Sequence, residues 1–369
     1  MSLTLPSTTD ILSIVMNVAY VGFFIFTFFF SAKLQAFKTT RNLSKALTKI
    51  GGMRDKAKKE LISALPKDVA TDKATNARVD KLMQFFTIRP STMDPKGVTH
   101  RFEHLLNNTD QRVKEEIKSM APQANEQQLQ NLQNLVEVTQ ELHKMYKFVR
   151  QYYIMGKKSA SQFSLVEIEM KLPSILEEAE AYDAFTEAFR TGKPIGDGIG
   201  PLTASRLMAS QEKFDVAQET VGAETSIDGR RLIVIKAKGP GGSVGKTGDG
   251  ILNLMEKYQG NIALVIMVDA ALKLEGEESG TVAEGVGPAI GGPGLEQFKI
   301  EEVAAKYKVP VYAVVVKQSV KEALAPMTPA IEKAADEVAV AVKRVIGERT
   351  KENDTVIIVG VGNTMVVAQ

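Results

Sequence analysis

Ile262–Asp269 reads IALVIMVD and Val356–Val361 reads VIIVGV. Runs this short, this apolar and this rich in β-branched residues read as strands buried on both faces. Leu232–Lys238 (LIVIKAK) and Val311–Lys317 (VYAVVVK) follow the same rule. Helical patterns fall around them, roughly at Ile199–Ala209, Gly250–Tyr258, Glu296–Tyr307 and Pro329–Ile346. Strands alternating with helices imply right-handed crossovers and a mostly parallel sheet covered on both faces. Residues 191–369 are therefore expected to form a three-layer α/β/α sandwich. Ligands of such sheets bind beyond the carboxyl ends of the strands. The segments after Lys238, Val268 and Val316 are the places to look for a site.

The preceding region is different. Residues 66–190 read as almost wholly helical, after a polar break at Pro66–Ala77. Asp94-Pro95 is a helix start, with Asp as the N-cap and Pro in the first turn. Along 125–155, Leu135, Val138, Leu142, Met145, Val149 and Tyr152 recur at helical spacing. That narrow stripe suits either packing on its own domain or a seam for a homo-oligomer.

Ile11–Ala32 (ILSIVMNVAYVGFFIFTFFFSA) holds no Asp, Glu, Lys or Arg. At 1.5 Å per residue it is long enough for a hydrocarbon core of about 30 Å. It is read as a single transmembrane helix, with the lipid bilayer as a partner. Basic residues follow it, from Lys33 and Lys38 to Lys59, and none precedes it. The positive-inside bias then puts residues 1–10 outside and the basic juxtamembrane helix 33–65 and all that follows in the cytoplasm. A cleaved signal peptide fits less well, because a basic n-region is missing.

Composition narrows the chemistry. The net charge of the 369 residues is +2, which gives nucleic-acid binding no support. Without cysteine there is no disulfide, thiolate metal site or cysteine nucleophile. The histidines are His100, His104 and His143. His100 to His104 match the inverted zinc-peptidase pattern H-x-x-E-H, with both rings on one helix face. Five residues are a short pattern, an exposed helix face is the commoner meaning, and no third ligand stands out.

Gly239–Gly250 (GPGGSVGKTGDG) follows a strand and precedes a helix. It resembles a phosphate-binding loop, yet the required first glycine falls on Pro240, which lacks an N–H. A generic anion nest at the helix start remains reasonable. Asp269 ends an apolar strand, where its carboxylate would sit at the mouth of the sheet; otherwise it bonds loop amides. Asp197 opens a helix in a Gly-Asp-Gly loop, where N-capping is the plain alternative. Spacing alone does not pair the two.

The motifs around these residues are similar to those of two peptidase families. Pro194–Met208 (PIGDGIGPLTASRLM) resembles the Asp-Gly-Val-Gly-Pro loop and helix of the hydrogenase-maturation peptidases, and the matching loop of the spore germination protease. Ser243–Gly250, Val268–Leu272, Gly285–Gly294 and Val309–Ala323 resemble further pieces of the germination protease, in the same order. The whole architecture also resembles an archaeal family of membrane-anchored proteins of unknown function.

The resemblance implies a phosphorylase/hydrolase-type fold and a peptidase-like hydrolase with a peptide or protein substrate. It implies Asp197 and Asp269 as the catalytic pair, one keeping its proton while the other activates water. It places Gly245, Lys246 and Thr247 where a substrate is positioned, and Gly285, Gly287, Gly291 and Gly292 along the cleft. In the hydrogenase-maturation peptidases the acidic positions bind metal with a histidine. No histidine follows His143 here, so no cofactor is expected, and a metal at Asp197 and Asp269 is unsupported. Those families place a Gly-x-Gly-Asn strand end before the first acidic loop, whereas here the similar string IIVGVGNT (Ile357–Thr364) comes last. That order suggests a circular permutation that brings Asn363 beside Asp197. A non-catalytic scaffold or ligand-binding protein is the alternative, because fold does not dictate chemistry.

Overall fold

The computed structural model describes residues 8–88, 97–158, 162–292 and 294–368. The Asp94-Pro95 helix start lies outside the described residues. Six helices come first: α1 (Thr8–Ser63), α2 (Lys67–Thr71), α3 (Lys73–Met83), α4 (Val98–Met120), α5 (Glu126–Lys158) and α6 (Gln162–Thr191). A 3-10 turn, Gly196–Gly198, leads into α7 (Ile199–Met208). Strands β1 (Lys213–Ala217), β2 (Thr220–Ile227) and β3 (Arg230–Ala237) precede α8 (Thr247–Lys257). Then come β4 (Leu264–Leu272), β5 (Val282–Val286), α9 (Leu295–Tyr307) and β6 (Val311–Gln318). The chain closes with α10 (Val320–Leu324), α11 (Pro329–Arg349) and β7 (Thr355–Gly360). Contacts divide it into two units: Met1–Gly52 with Lys144–Leu176, and Met53–His143 with Glu177–Gln369.

In the first unit, Leu43, Ala46 and Ile50 of α1 are buried at helical spacing, as are Val149 of α5 and Leu165 and Ile168 of α6. Thr39 donates to Glu169 at 3.0 Å. The expected membrane span is corrected here. Among the described residues no helix is long and apolar enough to cross a membrane. An uncharged run is not the same as an apolar one: Ser13, Asn17, Gly22, Thr27 and Ser31 interrupt this run. Nor is it a discrete span, since α1 continues unbroken for 56 residues through the basic stretch. The single-pass topology and the inside–outside assignment built on the span fall with it. The large apolar side chains described between Leu12 and Phe37 are exposed in the single chain.

The second unit contains a seven-stranded sheet in the order β1-β2-β3-β7-β4-β6-β5. The four apolar runs of the sequence supply its parallel centre, β3, β7, β4 and β6. The sheet is nevertheless mixed rather than mostly parallel, because β1–β2, β2–β3 and β5–β6 pair antiparallel. The reason is local. Asp228 and Gly229 both take positive φ, 46° and 77°, between β2 and β3. That is the two-residue turn favoured by Asp-Gly, and its twist folds the chain straight back into a hairpin.

Helices cover both faces. Ile199, Ala204 and Met208 of α7 and Ile331, Ala335 and Val338 of α11 share one core with Leu232, Val234, Ile266 and Ile358. Ile251 and Leu254 of α8 and Ile300 and Val303 of α9 share the other with Ile233, Ile235, Met267 and Ile357. Successive strand residues alternate between the two cores, as the pleat requires.

α7 is seated on the strand ends by glycine. A Cβ built on Gly200 would meet the carbonyl oxygens of Val268 and Val361 at 2.3 Å each. One on Gly360 would meet Gly200 O at 2.5 Å and Ala204 Cβ at 2.6 Å. Both obstacles are backbone or tightly packed and cannot rotate away. Gly200→Ala is therefore expected to cost about 2–3 kcal/mol of stability through overpacking. Urea denaturation reads this directly, and an unchanged midpoint would mean that α7 is not seated this closely.

Candidate functional site

Asp197 lies in the 3-10 turn that opens α7, so the close seating of α7 fixes its place above β4 and β7. Its carboxylate does not cap the helix, since α7 has no side-chain cap. Instead Asp197 Oδ2 accepts the backbone N–H of Asn363 at 2.7 Å. Asn363 stands three residues beyond β7, and Val361 N–H donates to Val268 O at 2.8 Å. The last strand thus occupies the centre of the sheet, and Asn363 sits against Asp197.

Asp269 belongs to β4, opposite Val315 of β6. It is 7% exposed, and its Oδ1 accepts the N–H of Ala270 at 2.7 Å. Burial, and then the nearby charge of Asp197, push its carboxyl up to about 8. Burial also raises Asp197, opposed by the Asn363 N–H. Val268, next to Asp269, bonds Val361, and Asn363 two residues on bonds Asp197, so two carboxyls 72 positions apart in the chain lie at one end of the sheet, where neighbouring carboxyls resist ionising together.

A cavity of about 700 Å³ opens over Asp197, built wholly from the second unit. Its walls include Asn107, Asp110 and Lys114 of α4, and Gln130, Gln133, Asn134 and Glu137 of α5. Asp197, Glu219, Gly245, Lys246 and Asn363 also line it. Asp269 is not among the wall residues, so Asp197 is the member of the pair that faces the space. Burial is the main cause that raises the Asp110 carboxyl; Lys246 opposes it and Glu219 adds to it. Burial works against the charge of Lys114, but Glu126 and Glu219 outweigh it and hold this lysine above its ordinary range. Lys246 Nζ rests on Asn107 Oδ1 at 3.3 Å.

The glycine-rich loop is not an open phosphate cradle. Gly242 N–H donates to Asn131, Gly245 N–H to Ser243 Oγ, and Lys246 N–H to Thr220 Oγ1. The start of α8 already has an anion: Gly248 N–H donates to the Glu296 carboxylate at 2.8 Å. A carboxylate of the chain itself thus fills the place that an external anion would take. Lys299 ties this corner to α4, with Nζ 2.6 Å from both Glu103 and Asp249.

The other expected residues are scattered. Gly245 and Lys246 line the cavity, while Thr247 is buried at the start of α8. Gly285 pairs with Ala313, and Gly287 N–H bonds Val311 O, toward the amino end of β6 and away from the aspartates. Gly291 and Gly292 do not line the cavity either. Leu135, Val138 and Leu142 of the α5 stripe are buried within the chain. His104 bonds Asn108 on the same helix. Among the described residues no group of three or more His, Asp or Glu could hold a metal ion. What the sequence reading missed is the polar face of α4 and α5. Gln130 and Asn134, four residues apart, are the one local signal, and they read equally well as a solvated face.

Residues 17–192 match the family model described as protein of unknown function (DUF1512), N-terminal domain. Residues 195–368 match its counterpart, domain of unknown function (DUF1512), C-terminal. No curated protein and no solved structure matches the chain.

Proposed function

The chain belongs to the DUF1512 family, and on that footing we propose that it is a peptidase-like hydrolase acting through Asp197 with Asp269 behind it. The observation that carries this reading is the convergence of the two carboxyls under a cavity, one facing the space and one buried. Burial and the neighbouring charge keep the proton on Asp269 near neutral pH. Burial raises Asp197 as well, but it alone has the Asn363 N–H to oppose that, and we assign it the single negative charge of the pair. Asp197 takes a proton from water as the water oxygen attacks an amide carbonyl carbon, and returns that proton to the departing amine. Lys246, on the cavity wall, is placed to hold the substrate. The short motifs that resemble those of the germination protease and the hydrogenase-maturation peptidases agree with the same assignment.

A second reading has its own observation in favour. Because Asp269 lies outside the cavity wall, the space also suits a binding site without chemistry. Peptide cleavage by the full chain, set beside Asp197→Asn and Asp269→Asn, separates the two. Cleavage lost with Asp197→Asn supports the hydrolase. Equal cleavage in all three proteins removes the aspartate mechanism, and peptide binding without cleavage favours the second reading.

A further inference from the structure

We propose that Asn134, on α5, is a positioning residue that fixes Asn363 against the Asp197 carboxylate. The inference rests on the hydrolase reading above and adds to it a part for the helical N-terminal half. One carboxamide makes three ties. Asn134 Nδ2 donates to Gly242 O at 2.6 Å and to Gln130 O at 3.0 Å. Its Oδ1 accepts Asn363 Nδ2 at 3.3 Å. The Asn363 side chain is held from its other end as well, since its Oδ1 accepts Met365 N–H at 2.9 Å. With its carboxamide fixed at both ends, Asn363 cannot turn, and its own N–H stays aimed at Asp197 Oδ2, 2.7 Å away.

The peptide that carries this N–H is also close-packed on Asp197. It follows Gly362, which takes φ 131° and leaves no room for a Cβ, since one would lie 2.0 Å from Asp197 O. A hydrogen bond to the charged form of a carboxyl lowers its pKa, so a displaced N–H lets Asp197 hold its proton to higher pH. The charged groups facing Asp197 are Asp269 beneath it and, around the cavity, Asp110, Lys114, Glu137, Glu219 and Lys246. None of them is altered in the variants below.

Asn131 provides the control. It too ties α5 to the glycine-rich loop, accepting Gly242 N–H at 3.0 Å, but it does not bond Asn363. The experiment is a pH titration of the full chain with aspartate carboxyl carbons labelled with carbon-13, where the Asp197 signal is the one lost in Asp197→Asn. Asn134→Leu is expected to raise the Asp197 midpoint by about one pH unit. Asn134→Ala, which removes the same ties and adds no charge, is expected to raise it too and serves if the leucine variant does not fold. Asn131→Leu is expected to leave it in place. Equal shifts for the position 131 and 134 variants, or no shift in either, would overturn the assignment. The titration is read without substrate, so it is separate from the hydrolase reading, which fails instead if the wild-type chain cleaves no peptide.

Discussion

Asp197→Asn is expected to lower peptide hydrolysis by about 10²–10⁴-fold, the usual contribution of a positioned general base. Asparagine keeps the shape of the residue and an oxygen that can accept the Asn363 N–H. What it loses is the charge that takes a proton from water. The fold should survive, because α7 is seated by Gly200 and Gly360 and not by this carboxylate. Initial rates on a peptide panel, with a thermal melt of each protein alongside, separate loss of chemistry from loss of structure. A variant that melts like the wild type and cleaves at the same rate would show that Asp197 does no chemistry.

The second large effect is on stability and runs the other way. Asp269 is buried, and its carboxyl stands at about 8 in the folded chain against an ordinary 3.8. Between those values the native state keeps a proton that the unfolded chain has lost. The stabilising contribution of Asp269 is therefore full below about pH 4 and is lost as pH rises through 8. Asp269→Asn, which is neutral at every pH, escapes that loss. At pH 8 the variant is expected to be more stable than the wild type by on the order of 5 kcal/mol, with the difference shrinking toward pH 4. Urea melts at pH 4.5, 6 and 8 measure it. Parallel stability curves for the two proteins would mean that Asp269 ionises normally.

Much of the sheet can be read along the chain, because buried strands announce themselves. LIVIKAK, IALVIMVD, VYAVVVK and VIIVGV each overlap one of the four central strands, to within two residues at either end of the run. The edge strands are harder. TVGAETSI of β2 mixes glycine, polar and apolar residues because only part of it is buried. Its clearest mark is the Asp228-Gly229 turn, a two-residue signal that decides the direction of the strand. Ile11–Ala32 misleads for a different reason: it is free of charge, but polar and small residues are spread along it. Of the site, Asp197 stands out in a Gly-Asp-Gly loop that opens a helix, and Asp269 stands out as a carboxyl within an apolar strand run. Asn134 and Asp110 do not, because a polar residue on an amphipathic helix carries no local sign of whether water or a cavity faces it. Asn363 lies 166 positions from Asp197, and only the central placement of β7 brings them together.

The interaction between the two aspartates can be measured without any substrate. In the full chain, the Asp269 carboxyl followed by carbon-13 NMR should titrate near pH 8. In Asp197→Asn its midpoint should fall, because the neighbouring charge is gone, while burial still keeps it above the ordinary carboxylate range. An Asp269 midpoint near 4 in both proteins, unmoved by the substitution, would contradict the pairing.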